Sequence, residues 1–275
     1  MKTQPIKKII AWAIVGVALV MMYAPIAVLI IYSLSKTQNG KITGFSLAAY
    51  SDMFGDAKLM TAVLNTFVLG LVSAALATLI GTFTAIGLFN MKKSGRRVLS
   101  AGNQITVVNA DIVTGIAFFL LFVFLRNVGI PIPDGWVTLI IAHTVITVPY
   151  VILTVLPRLR QLNPNVYEAA LDLGAGPWRA TVRVLLPQLF GAMLAGFALA
   201  FTLSLDDFVI ARYNKGGVET ISTFIYGALR SKGLKNSYRA MSALLFVVIL
   251  ALLITVNLFK AWRQKIQNKH DGKKI

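Results

Sequence analysis

Six long apolar runs, separated by polar connections, organise the chain. They lie at roughly residues 9–34, 60–89, 105–125, 136–157, 188–210 and 240–262. Each has or approaches the ~20 residues a helix needs to cross the hydrocarbon core of a bilayer. The pattern therefore predicts an all-α integral membrane protein with six transmembrane helices. The runs are not uniform. The third carries Asn109 and Asp111, the fourth contains Pro149 and ends at Pro157, and the fifth ends in Asp206 and Asp207. Proline within a span is tolerated where neighbouring helices satisfy the freed carbonyls. The first run is too long for the apolar region of a signal peptide and is followed by no small-residue cleavage site, so it is expected to be a retained span.

Composition supports this division. Of 275 residues, 57% are hydrophobic and only 13% charged, against about a quarter charged in a soluble domain. Cysteine is absent, which excludes disulfides and thiolate metal sites. The formal charge of +17 does not imply nucleic-acid binding, because the basic residues sit at the ends of apolar runs and no nucleic-acid motif accompanies them. They are the residues that set orientation. Lys2, Lys7 and Lys8 precede the first span. Lys92, Lys93, Arg96 and Arg97 follow the second. Arg158, Arg160, Arg179 and Arg183 join the fourth to the fifth, and Lys260, Arg263, Lys265, Lys269, Lys273 and Lys274 follow the sixth. Both termini are therefore expected in the cytoplasm, although the outer connection 211–239 runs against the bias with Arg212, Lys215, Arg230, Lys232, Lys235 and Arg239. The expected organisation is a cytoplasmic N-terminus (1–8), a six-span transmembrane domain (9–262) with an inner loop at 158–187, and a basic cytoplasmic tail (263–275) that meets anionic lipid.

The inner loop is the most polar stretch between two spans. Asn163-Pro164 is a helix start, since Asn caps and Pro suits the first helical position. A helix over 164–173 places Val166, Ala169, Ala170 and Leu173 on one face, and Gly174 stops it. Gly176-Pro177 starts a second helix, predicted to run to Pro187. Two readings are open: a helix pair at the membrane interface, with Trp178 and the arginines at headgroup level, or a docking surface whose small Ala169-Ala170 face admits a partner, with Glu168 beside it.

The spacing Glu168-Ala169-Ala170, three residues, Gly174, nine residues, then Val184-Leu185-Leu186-Pro187 resembles the EAA loop of ABC-importer permeases, with valine where that pattern has isoleucine. The resemblance implies a type I ABC-importer permease (MetI-like) fold in a bacterial inner membrane. It also implies that Glu168, Ala169, Ala170, Gly174, Leu186 and Pro187 belong to a coupling loop docking on a cytoplasmic ATPase. The chain has no GxxxxGKS/T phosphate loop and no nucleophile–base constellation. ATP-Mg would therefore be held by the partner ATPase, and this chain is expected to be a transport subunit rather than an enzyme.

Acids inside or at the edge of a membrane default to functional candidates. Asp111, near the cytoplasmic end of the third run or within it, and Asp206 and Asp207, at the outer end of the fifth, are the three. The bland alternatives are helix capping, a solvated helix end or an ion pair with Arg212. Further blocks resemble the second permease subunit of spermidine/putrescine importers: Tyr23-Ala24-Pro25, Ile31-Tyr32-Ser33, Asp111-Ile112-Val113-Thr114-Gly115, Ala142-His143 and Phe201 to Ile210. Ala110 stands where that family often has proline. This resemblance implies a polyamine cargo, with ferric iron or thiamine as the alternative. It also implies a homologous second permease, two copies of the ATPase and an extracytoplasmic polyamine-binding protein. A polycation route needs carboxylates weak enough at each step to release, helped by aromatic faces. His143 has no companion metal ligands and is expected to pack or hydrogen-bond between helices. Gly81 and Gly87 are expected at close helix contacts.

Overall fold

The computed structural model describes residues 5–38, 41–232 and 235–271. Residues 1–4 and 272–275, within the expected cytoplasmic ends, lie outside these, as do the side chains of Lys232 and of the tail from residue 261 onward. The chain divides into two compact units, Met1–Met60 with Ile225–Leu252 and Thr61–Phe224 with Leu253–Ile275.

The first unit opens with α1 (Pro5–Ser33). The apolar stretch of this helix is exposed on all sides within the chain, as expected of a helix whose solvent is lipid. A two-stranded antiparallel hairpin follows, β1 (Ser35–Gln38) and β2 (Lys41–Phe45), and among the described residues the regular structure is otherwise helical. A short helix, α2 (Ala48–Gly55), comes next. Its Tyr50 hydroxyl shares a 2.9 Å hydrogen bond with Ser33, tying α2 to the end of α1. In the same unit the Arg239 guanidinium lies 5.5 Å from the centre of the Tyr32 ring, at the start of α12 (Asn236–Asp271).

The second unit holds α3 (Ala57–Asn90) from its fifth residue on, α4 (Lys93–Val108), α5 (Asp111–Asn127) and α6 (Trp136–Gln161). Then come α7 (Pro164–Asp172), α8 (Pro177–Ala180), α9 (Leu186–Asp206), α10 (Val209–Asn214) and the first turn of α11 (Ile221–Lys232). Its core is α6, gripped by α3 and α9. A Cβ on Gly81 would lie 2.7 Å from the Val151 Cβ, and one on Gly196 would lie 3.1 Å from the Val151 Cγ1 and 2.8 Å from the Thr154 hydroxyl. Small residues thus bring three backbones onto one valine, the packing that substitutes for a hydrophobic driving force between helices in lipid. Gly81 meets the sequence expectation. Gly87 does not: nothing in the described residues comes within 4 Å of a Cβ there.

Four helices, Ile10–Ser33, Ala57–Asn90, Trp136–Gln161 and Pro177–Asp206, are long and apolar enough to cross a membrane. A fifth span results if α4 and α5 are counted as one, although they meet at 106°. The expected sixth run is apolar over Asn236–Ala251 among the described residues. Three expectations change in detail. The third run is a bent pair broken at Asn109-Ala110, where both residues have extended backbone. The fourth helix continues past Pro157 to Gln161. The second helix of the inner loop does not end at Pro187. It passes through a wide π turn at Thr181–Leu185 and runs on to Asp206. Proline lacks an N–H and crowds the carbonyl four residues back. The π turn, closed by Leu186 N–H to Thr181 O, re-registers the backbone just before the ring and lets the helix continue.

Candidate functional site

Two places in the second unit gather the residues singled out from sequence. The first is the inner loop. Asn163 caps α7 by accepting a 3.0 Å hydrogen bond from Asn165 N–H, and Pro164 follows at the first helical position. The helix ends as its glycine dictates. Gly174 has φ +85°, its N–H donates to Leu171 O at 2.9 Å, and Ala175 N–H donates to Ala170 O at 3.0 Å. That pair is a Schellman cap, whose left-handed residue favours glycine. Of the predicted α7 face, Val166, Ala169 and Leu173 are exposed, Leu173 at 89%. Glu168 is exposed too. Behind this surface lies an apolar cavity of about 320 Å³ between the ends of α3 and α6 and the loop, reached by Phe89, Leu159, Tyr167, Leu171 and Leu185. Trp178 stacks on Phe83 of α3, centroids 5.9 Å apart and planes 14° from parallel, while Ala180 is fully buried. The loop is therefore anchored to α3 while its outer face stays bare. Leu186 is half-buried and Pro187 exposed, and both stand at the start of α9, beyond the bare face of α7.

The second place is a cavity of about 240 Å³ where two helix breaks meet. Asp111 stands at the α4–α5 bend, and Asp206 and Asp207 at the end of α9; all three line this one cavity, together with Thr106, Asn109, Thr147 and Tyr150. Thr147 and Tyr150 lie eleven and fourteen residues into α6, or ~15–20 Å from its start at 1.5 Å per residue. Asp206 and Asp207 thus sit at the end of α9, where the sequence placed them, and level with the middle of α6. The reason is local: α9 stops at Asp206, the backbone becomes extended at Asp207, and α10 packs back against α5. A Cβ on Gly115 would meet Tyr213 at 3.1 Å, and the buried Asn214 amide donates to Gly115 O at 3.2 Å.

The three acids differ. Asp111 and Asp206 are exposed to the cavity side of the chain. The Asp207 side chain is only 8% exposed. Its two oxygens accept hydrogen bonds from Ile210 N–H at 3.3 Å and Ala211 N–H at 2.7 Å, which makes it the cap of α10. Its Oδ2 also lies 3.5 Å from the Nε2 of fully buried His143, whose Nδ1 shares a 2.8 Å hydrogen bond with the Ser204 hydroxyl. His143 therefore bonds between helices, as expected for a lone histidine. Among the described residues none of the three acids pairs with Arg212. Tyr150, Thr147 and Asn109 escaped the sequence reading. Asn109 alone left a signal there, as a polar interruption of an apolar run.

The residues matched to a known family run from 77 to 268, and the family is described as "Binding-protein-dependent transport system inner membrane component". The chain is 31% identical over 253 residues to the putrescine transport system permease protein PotI of Escherichia coli (strain K12), covering 90% of each chain. It is 31% identical over 234 residues to the spermidine/putrescine transport system permease protein PotC of Haemophilus influenzae, covering 85% of this chain and 89% of that one. Among solved structures, a bacterial ABC transporter involved in the import of the acidic polysaccharide alginate superposes with a TM-score of 0.71 at 16% identity, over 94% of this chain and 98% of that one. The MetNI methionine ABC transporter gives 0.57 at 18% identity, over 73% and 94%. At those identities the structural likeness establishes the fold. Family match, relatives and fold agree that this chain belongs to the inner-membrane permease components of binding-protein-dependent ABC transport systems.

Proposed function

We propose that this permease carries polyamines, putrescine or spermidine, inward through the membrane and is driven by an ATPase seated on its EAA loop. The observation that carries the cargo assignment is the cavity with Asp111 and Asp206 open to it at mid-depth, beside the Tyr150 ring. A polycation needs carboxylates and an aromatic face on its route, and broken helices at mid-membrane are where transporters place such sites. The transport-system names of PotI and PotC support the same cargo. Another small solute, such as ferric iron or thiamine, is the alternative.

In this reading the chain has six spans and cytoplasmic ends, and pairs with a homologous second permease. Two ATPase subunits holding ATP-Mg dock on the two coupling loops, and an extracytoplasmic binding protein delivers the cargo. The bare face of α7, with Ala169 small enough for close approach and Leu173 almost fully exposed, is what the ATPase would cover. Closure of the ATPases would draw the loops together and rock the spans, a rigid-body switch. Uptake of labelled putrescine and spermidine in cells lacking and re-expressing this chain, with iron and thiamine as competitors, tests the proposal. Uptake that depends on the chain and resists iron and thiamine supports it. Uptake unaffected by loss of the chain overturns it.

A further inference from the structure

Lys93, Arg96, Arg97, Ser100 and Gln104 recur at helical spacings of three and four along the first four turns of α4. Together with Arg160 from the last turn of α6 they surround a cavity of about 400 Å³. No acidic residue lines it. Among the described residues none of the four cations makes an ion pair or hydrogen bond, and the Ser100 hydroxyl is shielded from solvent with no partner. Like charges three and four apart on a helix repel. A fourth brought in from another helix adds to that repulsion unless an anion occupies the space.

The setting says which anion. Arg160 is at the end of α6 that leads into the EAA loop, and α4 runs from there toward mid-depth, where the Asn103 amide donates to Pro149 O at 3.4 Å. The cations are thus at the level of a helix end. Val98, Ile105 and Val108, exposed at 70%, 71% and 84%, lie on the flank of α4 beside the basic face and extend deeper. Charge at the end and apolar surface below it match an amphiphile with an anionic head. Guanidinium groups suit phosphate because they donate two parallel hydrogen bonds, and basic pockets between spanning helices take anionic lipid headgroups. We infer that the cleft between the start of α4 and the end of α6 is a binding site for the phosphodiester headgroup of an anionic phospholipid, with its acyl chains along Val98, Ile105 and Val108. The inference rests on membrane embedding and is independent of the cargo.

The test uses native mass spectrometry of the full-length chain purified with phosphatidylglycerol or phosphatidylcholine, counting retained lipids. Arg96→Gln/Arg97→Gln/Arg160→Gln is compared with Lys8→Gln/Lys58→Gln/Arg230→Gln, which removes the same charge elsewhere. The expected result is a preference for phosphatidylglycerol of roughly tenfold in the unaltered chain and the control, lost in the cleft variant. Thermal stabilisation by phosphatidylglycerol, with no effect of inorganic phosphate at the same concentration, is expected in parallel. Equal retention of the two lipids by the unaltered chain, or undiminished preference in the cleft variant, overturns the inference. Equal stabilisation by inorganic phosphate overturns the lipid assignment and leaves a free-anion site.

Discussion

The long helix from Pro177 to Asp206 is disturbed twice, and the two disturbances end differently. At Pro187 a residue that ought to stop the helix does not, because a π turn placed just before it absorbs the missing N–H. At Asp206-Asp207 residues with no intrinsic power to stop a helix end it, because Asp207 finds better partners outside: two N–H groups of α10 and the buried His143. Backbone chemistry sets where a helix is vulnerable. Tertiary partners decide whether it breaks. The adjacent acids show this at the smallest scale, Asp206 facing the cavity and Asp207 consumed in holding the break.

The sharpest way to break this contrast is Asp207→Ala. It removes the cap of α10 and leaves two backbone donors unanswered, at a cost of ~2–4 kcal/mol. A fall in thermal unfolding temperature in detergent with loss of uptake is expected, while Asp207→Asn, which keeps an oxygen acceptor, loses less than half as much. Unchanged unfolding in Asp207→Ala would show that the cap carries no load. Next comes Asp206→Asn, expected to lower uptake of labelled polyamine about tenfold, ~1.4 kcal/mol in effective affinity, with no shift in unfolding temperature; full uptake would remove Asp206 from the route. Gly174→Ala puts a Cβ on a residue at φ +85° and should cost ~1–2 kcal/mol, read as weaker copurification of the ATPase on a chain that still inserts. Smallest is Pro187→Ala. The π turn already accommodates the ring, so a change below about 0.5 kcal/mol is expected, and a large gain in stability would mean the turn is strained.

Much of this was visible in the sequence because it is local. Apolar length located the spans, Asn163-Pro164 and Gly174 bounded α7, and Asn109 marked the α4–α5 break. The EAA spacing carried the resemblance to ABC-importer permeases. What sequence withheld depends on distance along the chain. Asp207 meets His143 of α6, and nothing near residue 207 announces it. That the carboxylates of Asp206 and Asp207 share a cavity with Asp111 follows from α10 folding back on Gly115, again a remote contact. Gly81 and Gly87 look equivalent in sequence and differ only in that Val151 faces one of them. The hairpin was legible and overlooked: Asn39-Gly40 is a strong two-residue turn signal, submerged in a sequence dominated by helical runs.

Val151 has one more consequence. Because Gly81 and Gly196 both close on its Cγ1 methyl, Val151 acts as a common spacer for α3, α6 and α9. A change of size there is felt by three helices at once, so these three cannot slide past one another without lifting off the valine. They form a bearing rather than a gate. The rocking proposed above would carry the three as one body, with the α4–α5 bend and the α9–α10 break at its margins.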